Sequence, residues 1–300
     1  MSCLVVIGSM TTDFVVNTVR PPQMGETIEG EQFETFFGGK GANQAVVAAR
    51  LGAEVSMIGA VGDDTFGEEI LANLTDCGVD TSGVKVIPDQ SSGSAHITVV
   101  DGDNAIVIVL GANGDVEPQL IAEADELLAD VTCILLQLLQ NELPVEVVEY
   151  VIDYCHQRNI TLLYDPAPAR EISIDLLEKV DYLTPNETEF SVLFPEQTIS
   201  DVLANYPNQL IVTLGDKGVK YHDGTEIVHV PAPTIDKVVD STGAGDTFNG
   251  ALAVQLSKGK ALKEAIRFAS AAAALSVTKR GAQTGAPTEQ EVNVQLVQDH

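Results

Sequence analysis

Residues 41–60, GANQAVVAARLGAEVSMIGA, set a helix and a strand back to back, and this pairing decides how the rest of the chain folds. Gly41–Gly52 carries apolar residues at helical spacing and Gly52 closes the helix, after which EVSMIGA is a short apolar run suited to a buried strand. The alternation continues on both sides. LVVIG (4–8) reads as a strand before it, and FGEEILANLTDCG as a helix after it. VTCILLQL follows as a strand, LPVEVVEYVIDYCHQRN as a helix, and ITLLYD, VDYLTP and QLIVTL as strands. Three helical segments, 246–258, 261–279 and 288–297, end the chain. Such alternation predicts an α/β fold, a mostly parallel central sheet with helices on both faces.

Two regions break the pattern. Residues 13–37 and 93–110 alternate polar and apolar residues around turn signals, as in SAHITVVDGDNAIVIVL with its turn at Asp101-Gly102-Asp103. Antiparallel strands projecting from the sheet as a small β-lid fit this pattern, and so does a plain extension of the core sheet. Residues 1–300 contain no internal repeat, low-complexity tract or long linker, so a single α/β domain is expected.

Composition limits the partners. The net charge of −28 argues against nucleic acid or an anionic membrane, both of which need clustered Lys and Arg. The 300 residues hold no eighteen-residue apolar stretch and no charged-then-apolar leader, so a soluble protein without export is expected. Cys3, Cys77, Cys133 and Cys155 are scattered in apolar sequence, as thiols of a reducing cytoplasm would be. The five His residues share no ligand spacing, and no Cys–His grouping suggests zinc.

Chemistry concentrates in VVDSTGAGDTFNG, residues 238–250, where Asp240 and Asp246 bracket the Gly243-Ala244-Gly245 turn at the start of a helix. Unpaired N–H groups and the helix dipole there attract a phosphoryl oxygen, and Asp246 would stand beside it to take a proton from an attacking hydroxyl. An ordinary Asp-capped helix explains the same residues. Gly38-Gly39-Lys40-Gly41-Ala42-Asn43 also opens a helix, with a charge and an amide at its start, and it matches neither a Walker loop nor GxGxxG. Asp13 follows the first strand, where a carboxylate could accept from two sugar hydroxyls or simply cap a turn. Asn186 and Glu189 lie one helical turn apart, either as a capping box or as groups that orient water on a phosphate-bound metal. Thr213 to Gly218, TLGDKG, could border a nucleotide or form a hairpin turn.

In order, GSxxxD, GGKGAN, NETE, TLGxxG and DSTGAGDTFNG resemble the ribokinase-like (PfkB) carbohydrate kinase family. The likeness runs from residue 4 to 290 and includes DPAPARE and VTKRGAQ. It implies a ribokinase-like Rossmann-type sandwich with a β-lid that also makes a homodimer contact. It implies Asp246 as the base that activates a sugar hydroxyl towards ATP, and Gly243, Ala244 and Gly245 as the anion hole. Asn186 and Glu189 would serve the phosphates and Mg²⁺, with Glu189 acting through water. Thr213, Gly215, Gly218 and Ser270 would border the nucleotide, and Asp13, Gly39, Lys40 and Asn43 would hold the sugar. An activating K⁺ would take Asp240 and Thr242 and the backbone near Val277, Arg280 and Ala282.

Three positions depart from the family pattern. Thr11 stands where an Asn usually helps bind ribose, Leu139 where a Glu is usual, and Gly285 where a Ser often helps hold the cation. The resemblance therefore implies an ATP-dependent sugar kinase with ribose as leading acceptor. Another furanose, deoxyribose or a nucleoside are the alternatives. A non-catalytic sugar-binding regulator would not need Asp246, Gly243, Gly245 and Glu189, all of which are present.

Overall fold

The structure is a computed structural model that describes residues 3–101, 103–124, 127–128, 136–140, 143–167 and 172–298, with residues 3 and 136–140 described by backbone alone. Its centre is a six-stranded sheet in the order β10-β9-β8-β1-β4-β5. The strands are β1 (Cys3–Ile7), β4 (Glu54–Gly62), β5 (Val79–Ile87), β8 (Leu136–Gln140), β9 (Thr161–Asp165) and β10 (Tyr182–Leu183). Every pair in it is parallel. Isolated parallel bridges, Leu183 with Leu210 and Asn186 with Thr213, continue the sheet towards β11 (Ile211–Thr213). β11 in turn starts an antiparallel trio with β12 (Val219–His222) and β13 (Ile227–Val230).

Both faces of the sheet are covered, and side-chain alternation shows why. Leu4 and Val6 of β1 enter one buried cluster and Val5 and Ile7 the other, all without solvent exposure. The first cluster packs under the helices Lys40–Arg50, Thr65–Asp76, Ala244–Ser257 and Leu262–Ser276. The second packs under Val145–Arg158, Glu187–Leu193 and Ile199–Asn205. Each fully buried Leu or Ile contributes about 1.5–3 kcal/mol by leaving water, so the two clusters together hold the sheet between its layers.

Residues 13–37 and 93–110 fall largely in a separate four-stranded sheet of order β3-β2-β6-β7, formed by β2 (Thr11–Asn17), β3 (Gln32–Gly38), β6 (Gly93–Val100) and β7 (Asp103–Val109). β2–β3 and β6–β7 are antiparallel hairpin pairs, but β2 and β6 run parallel, which corrects an all-antiparallel reading of these segments. The reason is topological. β2 leaves the sheet after β1 and β6 leaves it after β5; both depart from the carboxyl ends of parallel strands and set out in the same direction. β5 itself gives no clear strand signal in VDTSGVKVI, because an edge strand buried on one face lacks the apolar run of its neighbours.

Candidate active site

Two helices meet closely enough to share a site. At Gly250 a Cβ would stand 2.9 Å from the Gln44 carbonyl oxygen and 2.9 Å from Val47 Cγ1, so a larger residue would push the helices apart. Their approach brings Asn43 and Gln44 against Asp246. Asn43 Nδ2 donates to Asp246 Oδ2 at 2.8 Å and Gln44 Nε2 to Asp246 Oδ1 at 3.3 Å. Gln44 Nε2 also donates to Asp165 Oδ2 at 2.8 Å. Asp165 stands at the carboxyl end of β9, where parallel α/β sheets place their ligands.

The glycine turn sits in front of this carboxylate. Gly243 caps the 244–257 helix at φ 75°, and a Cβ on it would meet Ala282 Cβ at 2.5 Å. Only glycine fits there. Among the described residues a Cβ at Gly245 would meet nothing within 4 Å, which leaves space beside the helix start for a ligand. The turn is fastened to residues 277–285: Val239 and Asp240 donate their N–H groups to the Val277 carbonyl at 2.8 and 3.2 Å. Asp240 accepts from Thr242 N and Gly281 N, each at 2.9 Å. Burial works against the charged form of Asp240, yet the N–H donors from Gly281 and Thr242, with Arg280 nearby, outweigh it and hold its carboxyl below the usual range. Asp240, Thr242, Val277, Arg280 and Ala282 thus lie on two loops joined to each other.

Gly285 belongs to the same fastening. Its N–H donates to Gly281 O at 2.9 Å, and a Cβ would stand 2.8 Å from both Gly281 O and Ser276 O. A serine has no room at this position without a shift of the backbone.

A cavity of about 220 Å³ is lined by Lys40, Asp165, Asn186, Glu189, Thr213 and the 243–246 turn. Asn186 and Glu189 form a complete capping box, with Asn186 N donating to Glu189 Oε2 at 2.8 Å and Glu189 N to Asn186 Oδ1 at 2.9 Å. The cap and the cavity wall are the same residues. Burial raises Glu189 above the usual carboxylate range, and its bonds to Asn186 and the charge of Lys40 only partly offset this. Asp165 is raised far more, first by burial and then by the negative charges of Asp246 and Glu189. A concentration of carboxylates out of water favours an added cation or proton. Among the described residues no group of three or more His, Cys, Asp or Glu side chains forms a metal cage. Mg²⁺ is commonly held by one or two carboxylates, waters and substrate phosphates, which is the kind of donor set Asp165 and Glu189 offer.

The other sequence-predicted residues are spread over several places. Asp13, with Phe36, Asp240, Thr242 and Arg280, lines a cavity of about 510 Å³ between the four-stranded sheet and the 238–242 loop. Ser241 borders both this cavity and the smaller one. Thr11 Oγ1 donates to Asp13 Oδ1 at 2.8 Å, and Gly39, at φ 86°, lets the chain pass Met10 Cα where a Cβ would stand at 2.6 Å. Ser270 lines a third cavity with Lys263 and Arg267, and its buried hydroxyl has no hydrogen-bond partner among the described residues. Gly215 starts the 3-10 turn of the β11–β12 hairpin and Gly218 ends it at φ 97°, pressed against the Val230 carbonyl. The side chain of Leu139 lies outside the described residues, although its backbone pairs with Ile7 and Tyr164 in β8. Gln44, Asp165 and Gln283 receive no role from the sequence. Each sits inside a motif that does stand out there, GGKGANQA, DPAPARE and VTKRGAQ.

The model of the pfkB family carbohydrate kinases matches residues 1–289. The chain belongs to this family. It is 48% identical over 292 residues to the ribokinase of Bacillus subtilis, covering 97% of this chain and 98% of that protein. A deoxyribokinase of Salmonella typhi is 38% identical over 304 residues, covering 98% of each chain. The solved structure of Arabidopsis thaliana ribokinase complexed with ribose and ATP superposes with a TM-score of 0.89 at 35% identity, over 98% of each chain. As a carbohydrate kinase of this family, the chain is a phosphotransferase that acts on a sugar hydroxyl.

Proposed function

We propose that this chain transfers the γ-phosphoryl group of ATP to a pentose hydroxyl, with ribose as the leading acceptor. The observation that carries the reading is Asp246, aimed by Asn43 and Gln44 at the rim of the cavity that the Gly243–Gly245 turn closes. Asp246 takes the proton of the sugar hydroxyl as its oxygen bonds to the γ-phosphorus and the bond to the ADP oxygen breaks. The helix start behind Gly243 receives the negative charge on the transferring group. Asp13, Gly39, Lys40 and Asn43 hold the sugar, while Asn186, Thr213, Gly215, Gly218 and Ser270 border the nucleotide. Bound Mg²⁺, near Glu189 and Asp165, would neutralise phosphate charge, and K⁺ at the Asp240–Thr242 and 277–285 loops would strengthen the anion hole. The ribokinase relatives, one of them solved with ribose and ATP, support this assignment.

A second reading concerns the acceptor. Thr11 occupies one oxygen of Asp13 with its own hydroxyl, and deoxyribokinases are among the relatives, so deoxyribose competes with ribose for the assignment. ADP release measured across ribose, 2-deoxyribose, other furanoses, hexoses and nucleosides, with and without K⁺, decides between them. Ribose is expected to give the highest kcat/KM; no release with any pentose would overturn the reading.

Assembly and location are part of the proposal. Ile106, Val107, Ile108 and Val109 of edge strand β7 are 44–66% exposed, an apolar margin that a second copy of the four-stranded sheet would cover. The assembly proposed is a homodimer and the location the cytoplasm; the free thiols Cys77 and Cys155, among the described cysteines, support a reducing compartment.

A further inference from the structure

Behind Asp246 stands a line of three side-chain amides. Asn73 Nδ2 donates to Gln283 Oε1 at 2.8 Å, Gln283 Nε2 to Asn43 Oδ1 at 3.2 Å, and Asn43 Nδ2 to Asp246 Oδ2 at 2.8 Å. Every bond runs the same way, donor towards Asp246, and the last acceptor is the carboxylate. Aligned hydrogen bonds polarise one another, most strongly where water is excluded. Asn43, Gln283 and Asp246 are 6%, 7% and 8% exposed. The line crosses four segments: the Thr65–Asp76 helix, the turn after Gly281, the Lys40–Arg50 helix and the Ala244–Ser257 helix.

An amide can present either its oxygen or its nitrogen to a neighbour. If Asn43 turned over, its oxygen would face the carboxylate and repel it. The N–H of Gln283 on Asn43 Oδ1 prevents that, and the N–H of Asn73 on Gln283 Oε1 prevents the same reversal one step back. Asn73 therefore sets the direction of the whole line from a position remote from the cavity. Gln283 is held in turn, because Arg50 Nη1 donates to its carbonyl oxygen at 3.1 Å. The residues before it are fastened to the anion-hole turn, Gly281 by its N–H on Asp240 and Ala282 by contact with Gly243.

We propose that Asn73 and Gln283 are positioning residues: with Asn43 they form a directional amide relay that aims a donor at Asp246 and registers that carboxylate with the 277–285 loop. The proposal rests on the reading of Asp246 as the base. Across the cavity Asp246 faces Lys40, Asp165 and Glu189, and Gln44 reaches it from the neighbouring helix. None of the three relay amides titrates, so a changed pH profile in the alanine variants, which add no titrating group, reports how they are aimed.

The test compares Asn73→Ala, Asn73→Asp and Gln283→Ala in the full-length chain, reading kcat, KM for ATP and the kcat–pH profile. In Asn73→Asp the shape is kept, but a carboxylate faces Gln283 and draws its N–H away, so each amide down the line reverses. Asn73→Asp and Gln283→Ala are expected to lower kcat about tenfold at pH 7, with KM for ATP changed less than about twofold. The acidic limb of the profile is expected to move to higher pH by about one unit, and Asn73→Ala to show a smaller effect in the same direction. If Gln283→Ala does not fold, the Asn73 pair decides. A wild-type kcat–pH profile in both Asn73 variants would overturn the relay whatever their melting temperatures. Asp246→Asn run alongside separates the two claims. Normal turnover in that variant removes the base and the relay with it; loss of turnover with intact Asn73 variants removes the relay alone.

Discussion

Asp240 and Asp246 flank the same glycine turn, yet the fold supplies them with different kinds of partner. Asp240 takes backbone N–H groups from Thr242 and Gly281, donors whose positions the main chain fixes. Asp246 takes side-chain amides from Asn43 and Gln44 on another helix, and two further buried carboxylates, Asp165 and Glu189, stand near it. The first arrangement keeps a carboxylate charged under all ordinary conditions and makes it a fixed anchor for a loop. The second keeps a carboxylate dry and oriented, beside two further carboxylates and Lys40. Backbone donors make scaffolding; side-chain donors from elsewhere in the chain make a reactive site.

The sharpest way to break this contrast is Asp246→Asn. Loss of the base is expected to cut kcat by about 10²–10⁴-fold, while ADP binding followed by titration calorimetry stays near wild type. Gly243→Ala tests the turn between the two carboxylates. Its left-handed backbone and the 2.5 Å approach to Ala282 predict a loss of about 2–4 kcal/mol in denaturant unfolding, through strain and overpacking. Asp240→Asn should cost about 1–3 kcal/mol, because an amide nitrogen would face an N–H donor on one side. In wild type, the lowered Asp240 contributes stability that is present above the unfolded carboxyl value of about 3.9 and is lost as pH falls through its lower folded value.

Asp165→Asn should behave in the opposite sense, with the smallest change in stability. Its folded carboxyl is raised, so burying it costs stability at neutral pH and that cost disappears as pH falls towards the unfolded value of about 3.9. The variant is expected to melt a few degrees higher at pH 7 and to lose that advantage on acidification, while its activity drops. A lower melting temperature at pH 7 would place Asp165 with Asp240 as scaffolding.

Much of this was legible in the chain. Strand–helix alternation around residues 41–60 predicts the parallel sheet and its two helical layers, because period-2 and period-3.6 burial are local properties of the sequence. Asp246, the glycine turn, Asn186 and Glu189 stand out for the same reason, since each pattern completes itself within a few residues. β5 escaped because an edge strand carries a weak pattern, and the parallel pairing of β2 with β6 depends on where two distant strands leave the sheet.

What the sequence by itself determined is therefore the set of elements and the chemistry at their ends: a helix start rich in glycine, a carboxylate beside it, a capping box. What only the tertiary structure decided is which distant groups stand together. Gln44 on Asp165 and Asp246, Gln283 on Asn43, and Asn73 behind Gln283 join segments up to 240 residues apart. Side-chain hydrogen bonds of that span leave no local period to read, and Gly250 and Gly243 let the helix of Asp246 approach Gln44 and its turn approach Ala282 closely enough to assemble them.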